Sequence, residues 1–168
     1  MIGDPLDEAT YIGPLARREP QLSLLSSQLQ DALGKGARLL TGGKRLERRG
    51  WFFEPTVLVD VDHSMRVMRE ESFGPIIGLM KVDGDARALE LMADTEYGLT
   101  AAVYSAGRER AEQILSELDV GSAYWNCCDR VSPRLPWSGR HASGIGSTLG
   151  RAGIRAFTKP KAWHLRPS

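Results

Sequence analysis

The sequence predicts an α/β domain with a largely parallel sheet and flanking helices. Strand-like and helix-like segments alternate along most of the chain, the order typical of strands joined by helical crossovers. Four leucines, at positions 22, 25, 29 and 33, recur three or four residues apart, which places them on one face of a helix. The nearly continuous apolar run Ile76–Met80 is typical of a strand in a sheet that is covered on both faces.

In the first half, breakers set the limits of each element. Asp4-Pro5 and Gly13-Pro14 predict that residues 1–18 form a loop. Pro20 suits the first turn of the first helix, and Gly34 suits its end. The predicted elements are, in order, a helix over 19–33, a strand over 37–40, a bent strand or strand pair over 52–61, a connection over 62–68 and a strand over 74–82.

The second half continues the alternation and ends on an isolated strand. The predicted elements are a helix over 86–93, a strand over 99–105, a helix over 108–118, a strand over 122–126, a long irregular loop over 127–137, a helix over 148–156 and a strand over 161–166. The last strand has no hairpin partner next to it in sequence. It needs a sheet edge elsewhere, in this chain or in another copy of it.

Composition excludes several classes of function. The chain has 168 residues and a net charge of +1, so neither nucleic acid nor an anionic membrane is expected as a partner. The only two cysteines, Cys127 and Cys128, are adjacent, which indicates a reducing, cytoplasmic setting without a disulfide framework. The three histidines show no ligand spacing, and no metal site is predicted. The basic run 44–50 is compatible with a phosphate site, but a solvated loop is the favoured interpretation.

The most informative stretch is the loop Glu70–Pro75 before the apolar run. Gly74 permits a tight turn, and Pro75 is tolerated as the first residue of a strand. A carboxylate such as Glu71 offers two acceptor oxygens, which suits the two hydroxyls of a ribose diol. Phe73 can pack on a flat ring or a sugar. The alternative is a solvated acidic turn with Phe73 folded into the core.

Together with its neighbours, this loop gives a family resemblance. The motifs GDPLD, GPL, GARLLTGG, FFEPTVL, EESFGP, DTEYGLTAAVYS, then Asn126 and SGIG, follow one another from about Gly3 to Arg166. In this order they resemble the C-terminal portion of the aldehyde dehydrogenase superfamily. The resemblance implies a partial catalytic domain over 1–126, a substrate-side loop, glycine-rich turn and short helix over 127–158, and a C-terminal oligomerisation strand over 159–168.

The resemblance also implies roles for individual residues. Glu71 and Phe73 match the family residues that hold the nicotinamide ribose of NAD or NADP. Trp137 matches an aromatic position that lines the aldehyde tunnel, and Cys128 lies at the start of the substrate-side loop, away from the position of the family's nucleophile. Ser138, where glycine is usual, and Thr148, where an acidic residue is common, depart from the family pattern and put the substrate subclass in doubt.

The implied reaction is NAD(P)-dependent oxidation of an aldehyde to a carboxylic acid in a complete enzyme. There a thiolate attacks the aldehyde, hydride passes to the nicotinamide and water releases the acid. Nothing in the sequence matches the nucleophile segment or the dinucleotide-binding domain. The expectation is therefore an inactive fragment that binds no cofactor alone, forms a homo-oligomer and has a possible complementing N-terminal half. The alternative is a non-catalytic assembly module that self-associates through its C-terminal strand.

Overall fold

The computed structural model describes residues 1–127 and 130–167, and it confirms the α/β class. The chain forms two compact units, Met1–Val82 (unit 1) and Asp83–Ser168 (unit 2). Each unit has its own sheet and helices, so each is described by itself. No helix among the described residues has the length and apolar character needed to cross a membrane.

Unit 1 contains a three-stranded sheet with two helices. Its elements are α1 (Gln21–Gly34), β1 (Arg38–Thr41), β2 (Thr56–Val59), α2 (Arg66–Arg69) and β3 (Ile76–Leu79). The central strand β2 pairs antiparallel with β1 and parallel with β3, in register from Thr56 opposite Ile76 to Val59 opposite Leu79. The starts of β2 and β3 therefore lie at the same end of the sheet.

The core of unit 1 forms where the leucine face of α1 meets β2. Leu25 and Leu58 are completely buried, and Met65 is nearly so. The predicted leucine face is correct, since Leu22, Leu25 and Leu29 are all buried within this cluster. Burying a leucine side chain contributes about 1.5–3 kcal/mol, so this contact is the main stabilising feature of the unit.

The described residues of unit 2 form a two-stranded parallel sheet and three helices. Its elements are α3 (Asp85–Ala93), β4 (Thr100–Val103), α4 (Arg108–Ser116), β5 (Ser122–Trp125) and α5 (Gly150–Arg155). Helix α4 packs on both strands and buries Ala111 completely. Strand, helix and parallel strand follow the predicted alternation.

Three details of unit 1 differ from the sequence prediction. Residues 62–68 were predicted as a connection, but α2 begins at Arg66, whose backbone N–H donates to Asp31 Oδ2 at 2.8 Å. Residues 52–61 yield only the short strand β2. The side chains of Ile77 and Leu79 in β3 are 55% and 48% exposed, so the apolar run is covered on one face only within the described residues.

The predicted final strand makes no ladder in the described part of this chain. Residues 159–167 form neither helix nor strand, and their side chains are exposed. Lys161 Nζ lies 4.7 Å from the centre of the Trp163 ring, as expected for side chains two residues apart on one face of an extended segment. The prediction that this segment pairs with an edge of this chain is therefore wrong for the described residues. Its pairing with another copy stays a prediction.

Candidate functional site

The loop Glu70–Pro75 joins α2 to β3 in unit 1. Its end is fixed by the sheet, because the Thr56 N–H donates to the Pro75 carbonyl at 2.8 Å and the Ile76 N–H donates to the Gly74 carbonyl at 2.8 Å. The loop thus lies at the start of β3, beside the start of β2, as the sequence predicted. A loop anchored on a packed sheet can hold side chains in a fixed geometry.

The two adjacent carboxylates of this loop have different surroundings. Glu70 Oε1 accepts a hydrogen bond from Arg66 Nε at 2.7 Å, and Gln28 Nε2 lies 3.4 Å from Glu70 Oε2. The hydrogen bond from Arg66 is the main reason that the pKa of Glu70 is lowered from its ordinary value. Glu71 is exposed and forms no ion pair or hydrogen bond with any other described residue. Glu70 is therefore committed to the fold, and Glu71 is available to a ligand.

The side chains of two glutamines of α1 form hydrogen bonds with the loop Glu70–Pro75. Ser72 Oγ donates to Gln28 Oε1 at 2.8 Å, and the Gln28 side chain is completely buried. Gln21 Nε2 donates to the Phe73 carbonyl at 2.9 Å and also to the Ser72 carbonyl. These bonds satisfy polar groups that would otherwise be costly to bury, and they fix the backbone between Glu71 and Gly74.

Phe73 has a strained backbone and an outward ring. Its φ is +44°, which is unusual for a bulky residue, and its side chain is 78% exposed. The predicted alternative, in which Phe73 folds into the core, is therefore wrong. Such strain persists only where the surroundings hold it, as Gln21 does here, and strained residues cluster at binding sites.

Gly74 allows the loop to approach the core closely. A Cβ at this position would lie 2.5 Å from Leu25 Cδ1, which is far too close for carbon atoms. The same leucine is completely buried in the unit 1 core. The loop is thus packed directly on α1, which links the geometry of Glu71 and Phe73 to the core.

Sequence reasoning missed the contribution of Gln21 and Gln28. A detectable signal was present at Gln28, which lies three residues after Leu25 and one before Leu29 on the apolar face of α1. A polar residue at such a position has to find a buried partner. No comparable signal marks Gln21.

In unit 2, Trp137 lines a cavity of about 200 Å³. Its backbone N–H donates to the Thr148 carbonyl at 2.7 Å, and the Thr148 N–H donates back at 2.9 Å. Tyr124, Leu135 and Pro136 share the wall of the cavity, which gives it an aromatic and apolar character. Such a wall suits an organic group of a few atoms.

The structure gives little information on the positions of the remaining predicted site residues. Cys128 lies outside the described residues, and its neighbour Cys127 is exposed with a free thiol. Among the described residues, no group of three histidine, cysteine, aspartate or glutamate side chains is arranged to hold a metal ion. Glu71 and Phe73 belong to unit 1 and Trp137 to unit 2.

The sequence comparisons with known proteins agree with one another. The profile of the aldehyde dehydrogenase family matches residues 1–163. The chain is 36% identical over 180 residues to the peroxisomal aminoaldehyde dehydrogenase 1 of Malus domestica, covering 99% of this chain and 36% of that protein. It is 38% identical over 166 residues to the succinate-semialdehyde dehydrogenase [NADP(+)] of Deinococcus radiodurans, covering 99% of this chain and 35% of that protein.

Comparison with solved structures agrees. The crystal structure of betaine aldehyde dehydrogenase from Staphylococcus aureus in complex with NAD+ superposes with a TM-score of 0.86 at 34% identity, covering 93% of this chain and 32% of that one. The fold is therefore that of part of an aldehyde dehydrogenase. The chain spans about a third of the length of the relatives it matches.

Proposed function

The chain belongs to the aldehyde dehydrogenase family, and from this premise we propose that it supplies part of the cofactor and substrate surfaces for NAD(P)-dependent oxidation of an aldehyde to a carboxylic acid. The observation that carries the proposal is the different state of the two adjacent carboxylates. Glu70 is paired with Arg66, whereas Glu71 is exposed and has no partner among the described residues. Such a carboxylate, on a loop that is hydrogen-bonded to α1, fits a ligand that presents hydroxyl groups.

Glu71 and Phe73 form the proposed cofactor contact. The two oxygens of Glu71 can accept hydrogen bonds from both hydroxyls of the nicotinamide ribose, and hydrogen bonds to a charged acceptor are the strong ones. The Phe73 ring, 78% exposed and fixed through Gln21, can pack beside the ribose. When bound, the nicotinamide accepts the hydride of the oxidation. The NAD+ complex of the Staphylococcus aureus relative supports this class of cofactor.

Trp137 and Cys128 form the proposed substrate side. The indole of Trp137 is a rigid apolar wall of a cavity of about 200 Å³, and such a wall excludes water from an aldehyde. We assign Cys128 to the substrate side as well, because it lies at the beginning of the sequence segment that leads to Trp137. Replacing Trp137 with alanine in an active assembly should change the preference among aldehydes more than the affinity for NAD.

We further propose that these 168 residues alone do not turn over aldehydes and bind NAD or NADP weakly. The ribose contact by itself does not offset the cost of ordering a large flexible dinucleotide. The test is a dehydrogenase assay on the purified chain, with and without a complementing polypeptide that carries the family's nucleophile and dinucleotide-binding segments. Turnover by the chain alone that is lost in Cys128→Ser would overturn the proposal.

A second candidate function is assembly through the C-terminal segment, with or without chemistry. The segment 161–166 is exposed, and Lys161 stacks on Trp163, so one side chain face is ordered while the backbone is unpaired within the described chain. An unpaired extended segment can add to a sheet edge of a second copy. Light scattering should show a dimer or larger oligomer that becomes smaller on truncation after Lys159. A monomer at high micromolar concentration would exclude this function.

The proposed setting is the cytoplasm. The chain has only two cysteines, and they are adjacent in sequence, a usage typical of reducing compartments. Its relatives include peroxisomal and chloroplastic enzymes, so fractionation of the native source is the measurement that decides. Recovery with peroxisomes or plastids would contradict the proposal.

A further inference from the structure

The basic run of unit 1 is an ordered hairpin. The Leu46 N–H donates to the Phe52 carbonyl at 3.0 Å, and the Glu54 N–H donates to the Lys44 carbonyl at 2.9 Å. Between these bonds, Arg45 and Phe53 form an antiparallel bridge, and the Phe53 side chain is buried in the core. The run is therefore attached to unit 1, and its basic side chains are exposed, as expected for the solvated loop favoured from the sequence.

The arginines of this region lie over aromatic rings. The Cζ atoms of Arg18 and Arg45 each lie 5.5 Å from the centre of the Trp51 ring, and Cζ of Arg48 lies 3.7 Å from the centre of the Phe52 ring. Stacking restrains a guanidinium but leaves the N–H donors along its edge open. Each of the three guanidinium groups thus lies against a ring and keeps N–H donors available to a ligand.

These three arginines have no acidic partner. Among the described residues, no carboxylate forms an ion pair with Arg18, Arg45 or Arg48. Some other arginines of the chain are paired, as Arg38 with Asp60 at 3.3 Å and Arg108 with Glu112 at 2.7 Å. Guanidinium groups that lie against rings and have no acidic partner can attract anions.

The hairpin also borders a cavity. Arg48, Arg49 and the ring of Phe52 line a concavity of about 650 Å³, together with Gly50, two prolines and the carboxylate residue Asp4. Asp4 at the rim disfavours a ligand that is negative over its whole length. A compact anion that meets the arginines and leaves the Asp4 side fits the charge distribution better.

We infer that Arg48 and Arg49 of this hairpin, which we call the arginine hairpin (residues 44–54), bind a compact phosphorylated ligand with a diphosphate or two nearby phosphates in the concavity that they line. The planar forks of arginine match phosphate oxygens in pairs. A nucleic acid is disfavoured because the chain as a whole carries a net charge of only +1 and the site is concave. The inference does not depend on the proposed role of Glu71.

The test is calorimetric titration of the purified chain with inorganic pyrophosphate at low ionic strength, with orthophosphate and sulfate as comparisons. Pyrophosphate should bind most tightly, and Arg48→Gln should raise its Kd about tenfold, because a charge-assisted contact is lost. Arg48→Lys keeps the charge but removes the planar fork, and it should raise the Kd by an intermediate factor. The indole N–H signal of Trp51 should shift on titration.

The matched control is Arg87→Gln, which removes the same charge from an exposed arginine of unit 2 that pairs with Glu90. This control and Glu71→Gln should leave the Kd for pyrophosphate unchanged. An equal loss in Arg87→Gln would show nonspecific charge attraction, and tighter binding to Glu71→Gln would assign the anion to the loop Glu70–Pro75, because that variant removes a repelling carboxylate. Absence of binding, or tighter binding of an oligonucleotide whose affinity rises with its length, would also overturn the inference. Circular dichroism melting of each variant confirms that the fold is retained.

Discussion

The two units of the chain differ in how completely they bury their apolar side chains. Of the eleven buried hydrophobic residues among those described, ten lie in unit 1, and Ala111 alone lies in unit 2. Unit 1 builds a single core between α1 and β2, whereas the strands of unit 2 are half-buried and border cavities of about 560 and 200 Å³.

This difference matters for the sites that the units carry. In unit 1 the loop with Glu71 and Phe73 is attached to the core through Leu25, Gln21 and Gln28, so its geometry is set by packing. In unit 2 Trp137 is held by backbone bonds to Thr148 and borders open space. We expect the loop of the proposed cofactor contact to be rigid and the proposed substrate surface to be adaptable.

The largest expected effect is the loss of core packing in unit 1. Leu25→Ala should lower the free energy of unfolding by about 2–5 kcal/mol, because a fully buried leucine leaves a cavity. Leu115→Ala in α4 is the control. That leucine is half-buried, so the loss should be nearer to about 1 kcal/mol. Urea unfolding, monitored by hydrogen exchange, measures the loss of stability in each variant. Equal losses in the two variants would remove the distinction between the units.

A second comparison uses two glycines. Gly74→Ala should destabilise unit 1 by about 1–3 kcal/mol, because the new methyl group would lie 2.5 Å from Leu25 Cδ1 and force the core to move. Gly107→Ala places a methyl group 3.8 Å from its nearest neighbour and should change stability by less than about 0.5 kcal/mol. The prediction fails if thermal melting shows the two variants to be alike.

Acid should affect unit 1 before unit 2. The pKa values of Asp31, Asp62 and Glu70 in unit 1 are lowered, chiefly by hydrogen bonds from Lys35, Ser64 and Arg66 respectively. In unit 2 the pKa of Asp85 is lowered as well, chiefly by its hydrogen bond with Arg110.

The sign follows from linkage. A carboxyl whose folded pKa is lowered stabilises the fold at pH values above its ordinary pKa, which is 3.8 for aspartate and 4.5 for glutamate. This stabilisation is lost as the pH falls through the lowered value. Hydrogen exchange between pH 5 and about pH 3 should therefore show the protection of unit 1 falling more than that of unit 2, by a small margin because the groups are exposed. Greater loss in unit 2 would contradict this account.

The sequence predicted the elements that depend on local pattern. The leucine spacing located α1, and the five strands follow the predicted order; β1 has the predicted length and the other four are shorter. The four-residue helix α2 was missed because it has no side-chain cap and depends on a contact between Arg66 and Asp31, 35 residues away in sequence.

The roles of the candidate site residues stay predictions, and the sequence anticipated their geometry only in part. The motif around Glu71 and Phe73 can be read directly from the sequence, and the outward direction of Phe73 cannot, because it depends on a positive φ held by Gln21. Glu70 and Glu71 also differ because Arg66 pairs with Glu70, and the local sequence pattern does not identify this partner. The roles of Trp137 and Cys128 in substrate contact stay predictions.

The most direct test of this account is a crossed comparison of Glu70→Gln and Glu71→Gln. Loss of the ion pair with Arg66 should lower the Tm of Glu70→Gln by about 2 °C, whereas Glu71→Gln should melt like the parent chain. In an active assembly with a complementing polypeptide, Glu71→Gln should raise the KM for NAD about tenfold, and Glu70→Gln should change it much less. If Glu71→Gln instead lowers the Tm and leaves the KM for NAD unchanged, Glu71 is a structural residue and the proposed cofactor contact is wrong.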